Sequence, residues 1–252
     1  MKKSIVGRLA LVFSLSLMLP LSVMAAGGNV HLDKANNDLT DQASLQRGAK
    51  TFMSYCSGCH STQYQRYQRV ATDLGIPDDL MKENLILDPN AKIGDLMTNS
   101  IPEKDAAKWF GAPPPDLTLV ARVRGVDWLY TYLRSFYADP TRPFGVNNII
   151  FPSVGMPHVL EGLQGIPEPV YTIKTVDGKE HKTVTSTRVD KMGELTPQEY
   201  DQTVRDLVNF LEYSGDPVKL ERHALGWWVM AFLVFFTIIV VLLKKEYWRD
   251  VH

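Results

Sequence analysis

Tyr55-Cys56-Ser57-Gly58-Cys59-His60 holds both cysteines of the 252-residue chain, three positions apart, with a histidine directly after the second. Each use of such a motif demands its own surroundings, so it limits the fold tightly. A disulfide is the ordinary use of two cysteines in an exported domain. A redox-active Cys-x-x-Cys pair calls for a βαβ setting with a strand just ahead. Leu45, Ala49, Phe52 and Met53 instead recur at helical spacing and predict a helix from about Asp41 to Cys59. A zinc site needs four ligands, and this cluster is short of them. The remaining reading is the c-type haem attachment sequence. Cysteines one helical turn apart bring both sulfurs to the two vinyl groups of one porphyrin edge. His60 then comes under the ring, where its imidazole can bind iron. Small Ser57 and Gly58 let the backbone pass close to the macrocycle.

The two ends of the chain favour export. Lys2, Lys3 and Arg8 precede and flank an apolar run from Leu9 to Leu21, and Val23-Met24-Ala25 has the form of a cleavage site. Residues 1–25 therefore read as a signal peptide. Ala224 to Leu243 is 20 residues without a charge, about 30 Å of helix and enough for a bilayer core. Trp227, Trp228 and Trp248 bracket it as interfacial anchors, and Lys244, Lys245 and Arg249 follow. The positive-inside rule puts that tail in the cytoplasm. The expected layout is a signal peptide (1–25), an exported domain (26–221), a transmembrane helix (222–243) and a cytoplasmic tail (244–252). The formal net charge is −1 and becomes mildly acidic once the leader's three cations are removed, which argues against nucleic acid as a partner.

The second axial ligand decides what such an iron does. Histidine with methionine poises it for electron transfer. An open position would suit a membrane-anchored haem enzyme or gas sensor. Met53 shares the motif's helix and Met230 lies in the membrane segment, which leaves Met81, Met97, Met156 and Met192. Met156 stands out, in Phe151-Pro-Ser-Val-Gly-Met-Pro-His158. Pro152 and Pro157 stiffen that loop, and Gly155 allows close approach. His158 and Met192 are its rivals.

Elsewhere the pattern is mainly helical. Asp127–Tyr137 reads as a helix with Leu129, Leu133 and Phe136 inward. Val170–Thr185 alternates and turns at Asp177-Gly178, as a β-hairpin does. Thr196-Pro-Gln-Glu199 has the form of a capping box opening a helix to about Tyr213, with Val204, Leu207, Val208 and Leu211 as its apolar stripe. Asp216-Pro217 breaks the chain before the anchor.

Four stretches, in order, resemble the cytochrome c1 family, the haem subunit of the quinol:cytochrome c oxidoreductase (cytochrome bc) complex. They are Cys56–Ser61, then Gly111-Ala-Pro-Pro-Pro-Asp-Leu-Thr118 with Arg122-Val-Arg124, then Val154-Gly-Met156, then the C-terminal anchor with its basic end. The resemblance implies a mainly α, class I c-type cytochrome-like haem domain with a small β-hairpin insertion and a single C-terminal transmembrane helix. It implies one haem c held covalently through Cys56 and Cys59, with His60 and Met156 on the iron. Arg122 falls where an arginine meets a haem propionate, and Pro114 and Pro115 where prolines line the haem crevice. The implied role is an electron-carrying subunit, not a stand-alone enzyme. A Rieske iron–sulfur protein would reduce it, a c-type cytochrome would accept the electron, and cytochrome b would hold the anchor. The whole would be a dimeric complex in a bacterial inner membrane, with the haem domain on the periplasmic side. The strand-like segment after Met156 departs from the family's expected pattern.

Overall fold

A computed structural model of the protein describes residues 31–176 and 179–251. The expected signal peptide and the hairpin turn at Asp177-Gly178 lie outside those residues. The chain divides into residues 1–31 and 32–252, and the fold below is that of the second unit.

Asp41 caps helix α1 (Gln42–Tyr55), its side chain accepting from the Ser44 amide. The helix ends earlier than its apolar spacing predicts. The amides of Cys56 and Ser57 both turn back to the Phe52 carbonyl, at 2.8 and 3.0 Å, and the chain leaves helical register. The cysteines therefore lie on a turn beyond the helix. After β1 (Thr62–Arg66) come α2 (Tyr67–Asp73) and α3 (Asp78–Asn84), then β2 (Leu96–Met97), which pairs antiparallel with β1. Helix α4 (Glu103–Phe110) leads into the proline loop, and α5 (Val120–Arg124) and α6 (Val126–Arg134) follow it. Strand β3 (Phe136–Ala138) takes over where helix was expected to reach Tyr137, because its pairing with β4 (Val146–Asn148) satisfies the backbone there. A short α7 (Glu161–Gln164) precedes β5 (Glu168–Val176) and β6 (Lys179–Arg188), which pair antiparallel from Glu168↔Arg188 to Val176↔Lys179.

Helix α8 (Pro197–Gly215) starts at a complete capping box, with Thr196 and Glu199 exchanging bonds. It crosses α1 closely. A Cβ added at Gly48 would fall 2.0 Å from the Asp206 carbonyl oxygen, so only glycine permits this approach. Around the crossing, Phe52 and Phe210 have ring centroids 5.6 Å apart. Buried Asp206 accepts from Ser44 Oγ at 2.6 Å and Arg47 Nε at 2.6 Å. One apolar core joins α1, α2, α6 and α8 through Phe52, Val70, Leu129, Val204, Leu207 and Phe210. A smaller cluster of Phe136, Val146 and Val154 takes in Tyr132 and Met156.

Helix α9 (Lys219–Tyr247) buries no residue. Its 29 residues make about 43 Å of helix, long and apolar enough to cross a membrane.

Candidate haem site

One apolar cavity of about 420 Å³ collects most of the haem-binding candidates that the sequence singles out. That volume is within the roughly 300–1,000 Å³ of small-molecule and cofactor pockets. Cys56, Cys59, His60, Pro114, Pro115 and Met156 all line it.

The Cys56–His60 turn is shaped by its own backbone. Cys59 and His60 both donate amides to the Cys56 carbonyl, at 3.1 and 2.8 Å. Both thiols are free. Burial, with Cys59 as a lesser neighbour, pushes the Cys56 thiol up to about 12. A redox-active pair needs the reverse, a lowered thiol. Among the described residues no group of three or more His, Cys, Asp or Glu could hold a metal ion.

The proline loop is tied to this turn by several bonds. His60 Nδ1 lies 2.7 Å from the Pro115 carbonyl, which can only accept, so Nδ1 carries the proton. Nε2 is left with its lone pair for a metal. Burial lowers the His60 pKa against the opposing pull of the Pro115 bond, favouring neutral imidazole. Leu117 donates its amide to the Ser61 carbonyl at 2.8 Å. Asn99 Nδ2 donates to the Cys59 carbonyl, and Gln63 donates its amide to Asp116.

Met156 is held by a different device. Asn147 Oδ1 accepts from the Ser153 amide at 2.8 Å. Buried Asn148 accepts from the amides of Ile150 and Phe151 through Oδ1 and donates Nδ2 to the Tyr132 carbonyl. Tyr132 Oη in turn lies 3.5 Å from Met156 Sδ. Burial pushes the Tyr132 phenol well above its ordinary range, so it stays protonated. Sequence reasoning passed over these three residues, and the Asn147-Asn148 pair was the available signal. A Cβ at Gly155 would meet only the Phe110 carbonyl, at an ordinary 3.7 Å, so protein packing alone does not require glycine there.

The rival ligands lie elsewhere. His158 is buried, stacked on Phe136 at 4.9 Å, with Nε2 2.9 Å from Gln164 Oε1. Met192 is 60 % exposed and lines a separate pocket beside Arg134 and Tyr200. Neither lines the cavity. Arg122 is also outside its lining. The Arg122 side chain packs on Gly215, with Nη1 3.5 Å from that carbonyl. Arg124 does line the cavity, its guanidinium 5.1 Å from the Trp128 ring and 5.9 Å from that of Phe151.

A model of the Cytochrome C1 family matches residues 34–251. The chain belongs to the cytochrome c1 family. Cytochrome c1 of Allochromatium vinosum is 56 % identical over 236 residues, covering 94 % of this chain and 96 % of that one. A Nitrosomonas europaea protein named ammonia monooxygenase gamma subunit is 44 % identical over 238 residues, covering 94 % and 95 %. Cytochrome b/c1 of Bradyrhizobium diazoefficiens is 24 % identical over 246 residues, covering 84 % of this chain and 34 % of that longer one. Cytochrome c1 is a haem-carrying electron-transfer subunit of the bc1 complex, alongside cytochrome b and the Rieske protein.

Proposed function

We propose that this chain carries one covalent haem c with His60 and Met156 as iron ligands and passes electrons from a Rieske iron–sulfur protein to a c-type cytochrome. The observation that carries the reading is the gathering of two free thiols, an imidazole with a free Nε2 and a thioether around one apolar cavity. That donor set fits a c-type haem. When bound, haem supplies a one-electron couple. The Cys56 and Cys59 sulfurs would hold its edge. The Pro115 carbonyl keeps the His60 ring in one orientation and its Nδ1 protonated. Apolar walls from Leu117, Val120, Leu129, Leu207 and Leu211 exclude water, which limits reorganisation around a changing charge. Arg124 is better placed than Arg122 to pair with a propionate, since it is Arg124 that lines the cavity. Tyr55 and Phe151 line it and are also exposed, so each would offer electrons a route between the haem and the surface.

The whole molecule would be laid out as a removed leader (1–25), an exported haem domain of class I cytochrome type (26–221), a single span (222–243) and a cytoplasmic tail (244–252). It would sit in a bacterial inner membrane with the haem domain periplasmic, in a dimeric complex. An oxygen-activating role, such as the Nitrosomonas relative's name gives that protein, calls for an open iron position. Met156 on the cavity wall argues against one.

The test is the optical spectrum of the purified protein beside Met156→Leu. The wild type should give a low-spin c-type spectrum with the weak long-wavelength band of methionine on oxidised iron, and the variant should lose the band. A high-spin wild type that binds carbon monoxide readily would replace electron transfer with the enzyme or sensor reading.

A further inference from the structure

We propose that Tyr132 is a positioning residue for Met156: its hydroxyl donates to the thioether sulfur, orients it, and biases the ligated iron toward the reduced state. This rests on the reading of Met156 as an axial ligand. Three observations lead to it.

The first is the contact itself. Tyr132 Oη lies 3.5 Å from Met156 Sδ, within reach of a sulfur acceptor, which bonds at longer range than oxygen. The second is how firmly the phenol is aimed. Trp128 and Tyr132 are four residues apart on α6 and stack with centroids 5.0 Å apart and planes at 8°. Phe136 meets the same ring at 5.2 Å and Phe151 at 6.3 Å, both edge-on. Rings on three sides leave the hydroxyl little choice of direction. The third is a shared anchor. Asn148 binds the Tyr132 carbonyl with its amide nitrogen and the loop amides of Ile150 and Phe151 with its oxygen. Donor and ligand loop are therefore held to one another through a residue that is itself fully buried.

The chemistry follows from the lone pairs. A thioether sulfur shares one pair with iron, and a donated O–H draws density from the sulfur. Oxidised iron gains more from that density than reduced iron does. The hydrogen bond therefore favours the reduced form and raises the potential. The bond also resists rotation about the Met156 side chain, which slows departure of the sulfur. Phenylalanine at position 132 would stack equally well and do neither.

The experiment uses the full-length haem-loaded protein, wild type beside Tyr132→Phe and Tyr132→Leu. It reads the methionine band, the reduced:oxidised ratio at a fixed redox poise, the rate of cyanide binding to the oxidised form, and thermal unfolding. Tyr132→Phe should keep the band, shifted in position, and unfold near the wild-type temperature. Its reduced:oxidised ratio should fall by roughly two- to tenfold, the factor of one net hydrogen bond, and cyanide should bind faster. Tyr132→Leu should add a loss of thermal stability. In the wild type alone, transfer to D2O should shift the iron–sulfur vibration, a readout independent of any variant. An unchanged ratio and cyanide rate in Tyr132→Phe, with the band present, would reduce Tyr132 to packing and leave the Met156 reading intact. An unshifted vibration in D2O would do the same. A wild type whose band is absent, or survives Met156→Leu, would remove the axial reading and this proposal with it.

Discussion

Gly48 shows how much one residue without a side chain controls. An added Cβ would reach not only the Asp206 carbonyl but also Phe210 Cβ, at 2.8 Å, and neither can swing aside. Gly48→Ala should cost about 1–3 kcal/mol, the range for forced overpacking, measured by denaturant unfolding of the loaded protein. At the cavity, the two arginines separated by Val123 should behave differently. Arg124→Gln removes a cation from the lining and should lower the midpoint potential, because positive charge nearby disfavours oxidised iron. Arg122→Gln should leave the potential nearly in place, since that side chain packs on Gly215. The reverse ranking would restore Arg122 to the role that the family resemblance first implied for it.

Among the elements, α8 depends on its start. Thr196 Oγ1 accepts from the Glu199 amide, while Glu199 returns a bond to the Thr196 amide at 2.9 Å. Thr196→Ala should cost about 1 kcal/mol of stability by chemical denaturation. Asp127, in the first turn of α6, does not cap its helix but ties down the segment ahead of α1. It accepts from Lys34 Nζ at 2.7 Å and from the Ala35 amide at 3.0 Å. The Lys34 bond, then the amide, hold its carboxyl below the ordinary range. A depressed carboxylate stabilises the fold above its unfolded value near pH 4, and that contribution is lost as pH falls through the lower folded value. Asp127→Asn should therefore flatten the acid limb of a stability–pH curve while leaving its neutral shape alone. The turn that carries Cys56 and Cys59 belongs at this scale too. Apolar spacing ran the first helix through Cys59, but spacing cannot register that two successive amides share the Phe52 carbonyl.

For the whole molecule, helix α9 stands apart from the core, with none of its residues buried. A chain ending at Val218 should keep its haem and its unfolding temperature, and should move from the membrane pellet to the soluble fraction. A large drop in unfolding temperature would mean that α9 packs on the domain. Much of this molecule could be read directly from the chain. The first helix ahead of the cysteines, the capping box and the charge-free C-terminal run each rest on residues close in sequence, where covalent spacing and helix period do the work. The stiffened loop around it singled out Met156 among its rivals, and the family resemblance strengthened that reading and added the proline loop. What only tertiary structure decided involves residues far apart in the chain. His60 meets the Pro115 carbonyl across 55 positions, and Tyr132 meets Met156 across 24. Arg124 and not Arg122 lines the cavity, a choice set by where α5 packs against the end of α8. Local sequence specifies which groups can bond. Which of them meet depends on how the elements pack, and at the crossing of α1 and α8 that approach is possible only because Gly48 meets Asp206 without a side chain.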